Sequence, residues 1–373
     1  MLIGIDAFGC DHGRSGIGLY LLSLLANMPK LDSVSCELFG PEIDRYTYTS
    51  ASDKLMYAGV SIPDSNVSEF VWHLTRANSF MARRGYDVAF FSAGGRLLPW
   101  KPNIPSVAAV NDVVSELPDY VMNPFFAWYV RHGLKNCTRL IVPSQYVKKN
   151  LISLGVSSQK IDVIHNGINH SLFYPRANIS NEVVNIKPFA IKRPYIIYAS
   201  KMQSSSKKHV ELIRAFSLFK EKTGFPHRLV LAGGSGLYSE SVHKETSMSA
   251  YASDIFLTGF FPHESLPELY SCADACIIPS TSEGAGLPVL EAMACGVPVA
   301  CAKSGALPEI AGSHALFFNP DDLNETADAI EKIISDKDLR KKLLSGGIEW
   351  TKRFSWEKTA LRTLEVLSNA TSG

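Results

Sequence analysis

Two glutamates, Glu283 and Glu291, stand on either side of a turn that contains two glycines. The apolar segment 275–280 before the turn is typical of a short buried strand, and Pro288 is well placed as the first residue of a helix. This order brings backbone N–H groups and the positive end of a helix dipole to the glycines, where a phosphate can approach closely. The pattern predicts an anion site, with a nucleotide as the first ligand to consider.

The same turn has a simpler interpretation, in which the glycines only shape a connection and both glutamates are solvated. The segments that follow argue against it. Helix 288–294 is followed by Cys295-Gly296, a helix stop, and then by a second buried strand at 297–301. A strand, a helix and a strand form one unit of an open parallel sheet. Ligands of such sheets collect at the carboxyl ends of the strands, where this turn lies.

A second glycine loop follows the first strand, which we place at residues 2–7. The loop spans residues 13–18, includes Gly16 and Gly18, and precedes an apolar helix at 19–28. It also lies at the carboxyl end of a strand. One such loop in each half of the chain suggests a ligand that binds in a cleft between two domains.

Bulk composition limits the class of protein. The 373 residues are too many for one ordinary core and predict two α/β domains. Charge is balanced, with 37 Lys and Arg against 36 Asp and Glu, so we expect no nucleic-acid partner. Seven cysteines without metal-like spacing indicate reduced thiols and a cytoplasmic protein. We expect neither a signal peptide nor a membrane span, and therefore membrane contact that is peripheral at most.

Apolar periodicity predicts strands that alternate with helices in both halves, which is typical of parallel, doubly wound sheets. In the first half we expect strands at 2–7, 35–39, 88–92, 106–111 and 139–143, with helices at 19–28, 67–84, 125–136 and 144–154, and irregular structure at 41–64. In the second half we expect strands at 195–200, 228–232, 255–259, 275–280 and 297–301, with helices at 210–222, 266–273 and 288–294. Residues 169–193 read as a linker, and 339–368 as two helices with Ser355 as an N-cap.

Four segments together resemble one protein family. They are 283–299 with its two glutamates, Leu307-Pro308-Glu309-Ile310-Ala311-Gly312, Val142-Pro143-Ser144 and the segment 163–168 with His165-Asn166-Gly167. The chain resembles the retaining glycosyltransferases of family 4, also called group 1. This resemblance implies the GT-B fold, in which two Rossmann-like domains face each other across a cleft. We expect an acceptor-side domain at 1–175, a nucleotide-sugar domain at 190–354, and a C-terminal helix at about 355–373 that packs back on the first domain.

The resemblance also implies a reaction. A hexose would move from a UDP- or GDP-linked sugar to a hydroxyl of a glycan or lipid-linked acceptor, with retention of configuration and without a metal or other cofactor. Glu283 would address the donor sugar and Glu291 the ribose. The other donor-binding positions would be Gly284, Ala285, Gly286 and Leu287, Gly259 and Phe260 near the base, and Gly16 and Gly18 in the N-terminal loop.

Lysines would stabilise the departing diphosphate in this family pattern. The matching residues are Lys201 and Lys207, with Lys208 as a substitute for Lys207 in register. Relatives commonly have arginine at the first position, so a planar fork is replaced by a point charge here. A solvated lysine cluster without ligand contact is the alternative.

The chain departs from the family at Asn111-Asp112, where many members have His-Asp. Asparagine can hydrogen-bond a sugar hydroxyl but cannot carry a proton or a positive charge. We retain Asn111 and Asp112 as catalytic candidates because the leaving phosphate can take the acceptor's proton. His132 or His165 could replace the missing histidine, although each also reads as a structural residue.

Family habit favours surface polysaccharide or lipopolysaccharide biosynthesis, in the cytoplasm or at the inner face of the membrane. Aromatic and basic residues of the first domain could contact an acceptor or a membrane, or be ordinary surface and core: Trp72, Arg83, Arg84, Trp128 and Arg131. Two other classes stay open. One is a catalytically silent partner with the same fold, and the other is a nucleotide-sugar epimerase.

Overall fold

A computed structural model of the protein describes residues 1–49, 55–117, 121–176, 182–186 and 189–371. The chain divides into two compact units: unit 1 comprises Met1–Gly167 and Phe354–Gly373, and unit 2 comprises Ile168–Arg353. Unit 2 thus reaches further back than the domain that we expected at 190–354. The reason is Phe173, whose buried ring packs against His263 and Tyr270 of unit 2.

Unit 1 is built on a seven-stranded sheet in the order β3-β2-β1-β4-β5-β6-β7, in which each neighbouring pair is parallel. The strands are β1 Leu2–Asp6, β2 Ser35–Pro41, β3 Met56–Val60, β4 Val88–Phe91, β5 Ser106–Ala109, β6 Arg139–Val142 and β7 Ile161–Val163. The helices are α1 Gly16–Ala26, α2 Arg45–Thr49, α3 Asn66–Thr75, α4 Ala77–Arg84, α5 Pro124–Asn136 and α6 Gln145–Ser153. The order of the strands reverses between β1 and β4.

Three predictions for this unit were wrong in detail. The segment 41–64, expected to be irregular, contains α2 and the edge strand β3, although residues 50–54 lie outside the described part. β3 is a short edge strand that contains Gly59, and its pairing with β2 supplies its order. The single helix expected at 67–84 breaks at Arg76, which ends α3 and precedes α4. Helix α1 begins at Gly16, three residues early, because the Ser15 hydroxyl accepts the N–H of Gly18 at 3.2 Å.

Unit 2 contains a six-stranded parallel sheet in the order β12-β11-β10-β13-β14-β15. Its strands are β10 Tyr195–Ala199, β11 Arg228–Ala232, β12 Ile255–Gly259, β13 Ala275–Ile278, β14 Val299–Ala302 and β15 Leu316–Phe318. A separate antiparallel pair, β8 Val183–Ile186 and β9 Phe189–Lys192, lies in the region that we expected to be a linker. The helices of unit 2 are α7 His209–Thr223, α8 Ser239–Met248, α9 Leu266–Ser271, α10 Leu287–Ala294, α11 Leu307–Ala311, α12 Leu323–Ser335 and α13 Lys337–Thr351.

The C-terminal helix α14, Trp356–Thr371, belongs to unit 1. Ser355 acts as its N-cap, since the Ser355 hydroxyl accepts the N–H of Lys358 at 3.3 Å. The Thr359 hydroxyl donates to the carbonyl of His165 at 2.8 Å. These contacts fasten the end of the chain to the segment that follows β7.

No helix in the described ranges is long and apolar enough to cross a membrane.

Gly167 offers a test of the packing of α14 against the segment that follows β7. A Cβ atom at residue 167 would lie 2.2 Å from the backbone N of Trp356 and 2.4 Å from the carbonyl carbon of Ser355. We expect Gly167→Ala to lower the free energy of unfolding by about 1–3 kcal/mol, because neither backbone atom can move aside cheaply. Urea denaturation, monitored by circular dichroism, measures this change in the free energy of unfolding.

Gly95→Ala is the matched control, because its Cβ would meet only side-chain methyl groups at ordinary contact distance, 3.4 Å. Equal stability of the two variants would contradict the proposed packing of α14.

Candidate active site

The centre of unit 2 is the place where the order of its strands reverses. β10 pairs with β11 on one side and with β13 on the other, and β13 then pairs with β14. In open parallel sheets the crevice at such a reversal point, at the carboxyl ends of the strands, is the usual ligand site, and the loops that follow β10 and β13 border it. Lys207 comes from the first loop and Glu283 from the second.

These two side chains form an ion pair at this crevice. Lys207 Nζ lies 2.6 Å from Glu283 Oε1 and 3.4 Å from the carbonyl oxygen of Ser282. The lysine side chain is 22% exposed and the glutamate side chain 13%, so both are partly shielded but still accessible to a ligand. The sequence predicted both residues for the site, and the structure brings them together although 75 residues separate them.

Two buried residues, Tyr198 and His209, form hydrogen bonds with the main chain of the loop that follows β10. The Tyr198 hydroxyl donates to the carbonyl of Lys207 at 3.1 Å. His209 Nε2 lies 3.2 Å from the carbonyl oxygen of Ser200, and burial lowers the pKa of His209 to about 4. The ring is therefore neutral at pH 7, and its Nε2–H donates to that carbonyl. These bonds fix the main chain that carries Lys207.

The β13 loop is fastened on both sides. The N–H of Thr281 donates to the carbonyl of Ser206 at 2.8 Å, which ties this loop to the β10 loop. The N–H of Ala306 donates to the carbonyl of Glu283 at 2.9 Å, which ties it to the loop after β14. Gly305 has φ +62°, and a Cβ there would lie 2.9 Å from the N of Glu283, so only glycine fits this close approach.

The glycine turn itself leads into α10, which begins at Leu287; Pro288 is its second residue, not the first as we expected. Gly286 has φ +61°, and a Cβ there would crowd Ile310 at 3.1 Å. Packing thus accounts for Gly286. Phosphate binding by the backbone of Gly284, Ala285 and Leu287 stays a prediction.

Glu291 lies one turn into α10 and is only 8% exposed. Its Oε1 lies 3.2 Å from His263 Nε2, and its Oε2 accepts the Tyr270 hydroxyl at 3.2 Å. Burial alone would lower the pKa of His263, but the hydrogen bond and the negative charge of Glu291 raise it above the ordinary value. Each carboxylate oxygen keeps a second lone pair, so the predicted contact with a ribose hydroxyl is compatible with these bonds.

The remaining candidates of unit 2 have other surroundings. Lys208 Nζ lies 2.8 Å from Asp321 and 3.1 Å from Glu211, and these carboxylates raise its pKa. Lys207, and not Lys208, therefore contacts Glu283. Lys201 is exposed at the start of the loop. Gly259 ends β12 with φ +67°, and Phe260 is 68% exposed.

The candidates of unit 1 lie at the carboxyl end of its sheet. Asn111 follows β5, and its Oδ1 accepts the Nδ2–H of Asn166 at 3.1 Å. The Nδ2 of Asn111 is buried and has no hydrogen-bond partner among the described residues. The Asp112 carboxylate accepts two bonds from Arg96, at 3.0 and 3.1 Å.

Gly16 and Gly18 both lie in the first turn of α1. A Cβ on Gly18 would lie 2.4 Å from the carbonyl oxygen of Cys10, so packing alone requires glycine there. A Cβ on Gly16 would meet nothing within 4 Å. Contact of either residue with a donor stays a prediction.

Sequence reasoning missed several residues that hold the site: Arg96, Asn166, His209, His263 and Tyr270. Asn166 lies in a segment that carried the family resemblance, which is the one signal that could have drawn attention to it. His263 and Tyr270 stand 28 and 21 residues from Glu291, and no local pattern links them. Of the two alternative histidines, His132 stacks on Trp100 with ring centroids 3.8 Å apart, and His165 Nδ1 lies 2.8 Å from the carbonyl of Pro143.

Comparison with known proteins identifies the class. The family model described as Glycosyltransferase Family 4 matches residues 14–172, and the model described as Glycosyl transferases group 1 matches residues 181–350. The two matches together span most of both units. The chain belongs to the group 1 glycosyltransferases of family 4.

Solved structures show the fold. Sucrose-phosphate synthase from Thermosynechococcus elongatus superimposes with a TM-score of 0.76 at 20% identity, covering 100% of this chain and 99% of that one. HepE of Anabaena, in complex with UDP-glucose, gives a TM-score of 0.74 at 18% identity, covering 99% and 100%. The expected GT-B fold, with two Rossmann-like domains, is confirmed.

Curated relatives are similar over parts of their length. O-antigen chain mannosyltransferase B of Escherichia coli is 32% identical over 173 residues, which are 46% of this chain and 45% of the relative. Sulfoquinovosyl transferase SQD2 of Arabidopsis thaliana is 26% identical over 300 residues, 75% and 56% of the two chains. The chain thus spans about half the length of the curated relatives it matches.

The His263–Glu291 pair generates a pH prediction. A histidine whose pKa is raised on folding stabilises the native state fully below its unfolded pKa, and that contribution is lost as pH rises through the folded pKa. We therefore expect His263→Asn to be more destabilising at about pH 6 than at about pH 9. Urea unfolding of both proteins at the two pH values measures the difference.

His243→Asn, an exposed histidine of α8, serves as the control and should show no such trend. A loss of stability in His263→Asn that is independent of pH would mean that Glu291 does not hold the ring as an ion pair.

Proposed function

We propose that the protein is a retaining hexosyltransferase that works without a metal and uses a UDP- or GDP-linked sugar as donor. The bond between the sugar C1 and the phosphate oxygen breaks, a bond from C1 to the acceptor oxygen forms, and the acceptor's proton passes to the departing phosphate. The observation that carries this proposal is the Lys207–Glu283 pair at the crevice of unit 2, since it combines a group for the phosphate with a group for the sugar.

Lys207 supplies the charge. Negative charge grows on the diphosphate as the bond to C1 breaks, and a cation placed beforehand stabilises that state more than the ground state. An ammonium has three N–H donors, and the contacts to Glu283 and Ser282 leave it able to turn toward a phosphate oxygen. Lys201, exposed on the same loop, adds a second positive charge.

Glu283 acts as a binding group for the sugar. Its carboxylate has four acceptor sites, and the ion pair with Lys207 occupies one of them. Two sugar hydroxyls can therefore donate to it while the lysine stays in contact. The loop bonds through Thr281 and Ala306 fix the position of the carboxylate, which favours orientation of the sugar C1 over chemistry by the glutamate itself.

Asn111 of unit 1 is a hydrogen-bond donor in this proposal. Its oxygen is engaged by Asn166, so its unpartnered Nδ2–H is the group that can meet an oxygen of a substrate. This would replace the histidine of many relatives by a neutral donor. Asp112, held by Arg96, orders the same loop.

The acceptor is a hydroxyl of a glycan or of a lipid-linked sugar in surface polysaccharide biosynthesis. The names of two relatives support this choice: O-antigen chain mannosyltransferase B and the serotype-specific mannosyltransferase WbdA, both of Escherichia coli. They favour a mannose-type sugar, whereas the UDP-glucose complex of HepE favours a uridine donor. A thermal-shift screen across UDP and GDP sugars separates these donors, because at equal concentration the nucleotide that binds more tightly stabilises the native state more.

Glu283→Gln and Lys207→Met test the two roles separately. We expect each to reduce transfer from the donor found in that screen by about a hundredfold or more. Lys207→Met should also weaken binding of the free nucleoside diphosphate, whereas Glu283→Gln should leave that binding unchanged or tighter, because it releases the lysine from its partner. Isothermal titration calorimetry and a transfer assay measure the two effects.

Glu240→Gln and Lys244→Met, both exposed on α8, are the matched controls. Unchanged transfer in Glu283→Gln or Lys207→Met would reject the site. Binding of nucleotide sugars without transfer would favour the silent partner, and an epimerised donor formed without acceptor would favour the epimerase.

The Asn111–Asn166 pair is tested by a double-mutant cycle. If Asn166 acts only by orienting the amide of Asn111, then Asn166→Ala should slow transfer by about tenfold, and adding it to Asn111→Ala should cause little further loss. The kcat values of the wild type, the two single variants and the double variant give the coupling. Losses that multiply in the double variant would show that Asn166 has an independent role.

A further inference from the structure

Unit 1 exposes a set of large apolar side chains on two helices that touch each other. The exposed fractions run from 42% to 81%, and we call the set the apolar patch: Val67, Val71 and Leu74 of α3, Val121 and Met122 just before α5, and Phe125 and Trp128 of α5. Phe70 of α3 joins the two helices, since its ring lies 6.0 Å from that of Phe126 and 4.7 Å from that of Tyr129.

The patch is not needed to attach these helices to the core. Helix α5 already buries Tyr129, Val130 and Leu134, and α3 already buries Trp72. The exposed residues of α3 recur at positions i, i+4 and i+7, which forms a second apolar stripe on the solvent side. Single exposed apolar residues are ordinary, but a contiguous group on neighbouring helices usually marks a binding surface.

Aromatic rings and positive charges border the patch. Trp100 packs against Trp128, with ring centroids 4.0 Å apart. Exposed cations stand close to patch residues or to Trp100 in the chain: Arg76 follows Leu74 by two residues, Lys101 follows Trp100, and Arg131 follows Trp128 by three. Asn78 Nδ2 donates to the carbonyl of Lys101 at 2.9 Å, which ties that cation to α4, beside α3.

Few acidic residues accompany the patch, although Glu116 and Asp119 precede Val121 in the sequence. Helix α5 contains no acidic residue, and the single acid of α3, Glu69, accepts the N–H of Gly9 at 3.2 Å. Asp64, before α3, lies 3.6 Å from His12.

We propose that the apolar patch and its cations bind the surface of an anionic lipid bilayer. Apolar side chains enter the boundary between headgroups and acyl chains, tryptophans occupy the headgroup level, and lysine and arginine meet the lipid phosphates. The charge pattern argues against a second copy as the occupant. A two-fold dimer through this patch would bring like charges of both protomers together.

This binding gives the proposed function a location, since a lipid-linked acceptor is held in the same surface. In that one respect it rests on the proposed function. Attachment to the bilayer itself does not require transferase activity, so the two proposals fail separately.

Co-sedimentation with lipid vesicles tests the proposal. We expect the protein to pellet with vesicles of phosphatidylcholine mixed with phosphatidylglycerol, to pellet much less with phosphatidylcholine alone, and to be released by salt. Tryptophan fluorescence should shift to shorter wavelength on binding, because Trp128 passes from water to the bilayer boundary. No association with the anionic vesicles would overturn the proposal.

Two pairs of variants identify the surface. Val71→Ser with Met122→Ser removes apolar contact at exposed positions and should weaken vesicle binding by about tenfold or more. Its control is Leu237→Ser with Met248→Ser, which changes two exposed apolar residues of unit 2. Arg131→Glu should weaken binding to anionic vesicles, and Lys244→Glu should not.

Equal binding by the patch variants and their controls would overturn the assignment of the surface. Sedimentation velocity without lipid tests the competing occupant. A dimer that the Val71→Ser, Met122→Ser variant abolishes would show that a second copy covers the patch, and would also overturn the proposal. Transfer to a water-soluble acceptor, measured alongside, separates loss of membrane binding from loss of the active site.

Discussion

The ion pair between Lys207 and Glu283 depends on three loops that hold one another by main-chain hydrogen bonds. Thr281 binds the carbonyl of Ser206, and Ala306 binds the carbonyl of Glu283. Because β10, β13 and β14 are adjacent strands, the loops that follow them lie side by side. Each of these hydrogen bonds joins the loops of two neighbouring strands. The sheet thus determines where the two charges meet, and the glycine at 305 is needed because a Cβ would force two of these loops apart.

The same pair contributes little to the stability of the fold. At an effective dielectric constant near 20, two charges about 4 Å apart attract by about 4 kcal/mol, but partial burial removes hydration from both. In such shielded pairs the lost hydration offsets much of the attraction, so the net contribution to folding is small. In the proposed function, a diphosphate would therefore take over part of the contact with Lys207 without unfolding the loops. That balance suits a site that must exchange its ligand.

Local pattern was enough for most of the buried strands, but not for elements that depend on distant partners. Strands Arg228–Ala232 and Ile255–Gly259 were predicted with the bounds observed, because short, mostly apolar runs of that length are typical of the buried strands of parallel sheets. The hairpin of β8 and β9 and the edge strand β3 were missed, because pairing stabilises them more than propensity does. Glu291 was found by motif, but His263 and Tyr270 become its neighbours only through the packing of α9 against α10.

The candidate polar groups of the two units differ in charge. In unit 2 the candidate groups are ionised and respond to charge. In unit 1 the amide of Asn111 is neutral, and its oxygen is engaged by Asn166. An amide does not titrate, so unlike a histidine it offers the same donor at every physiological pH. In the proposed reaction, asparagine in place of histidine would remove a switchable charge but keep a hydrogen-bond donor, which would suffice because the departing phosphate takes the proton.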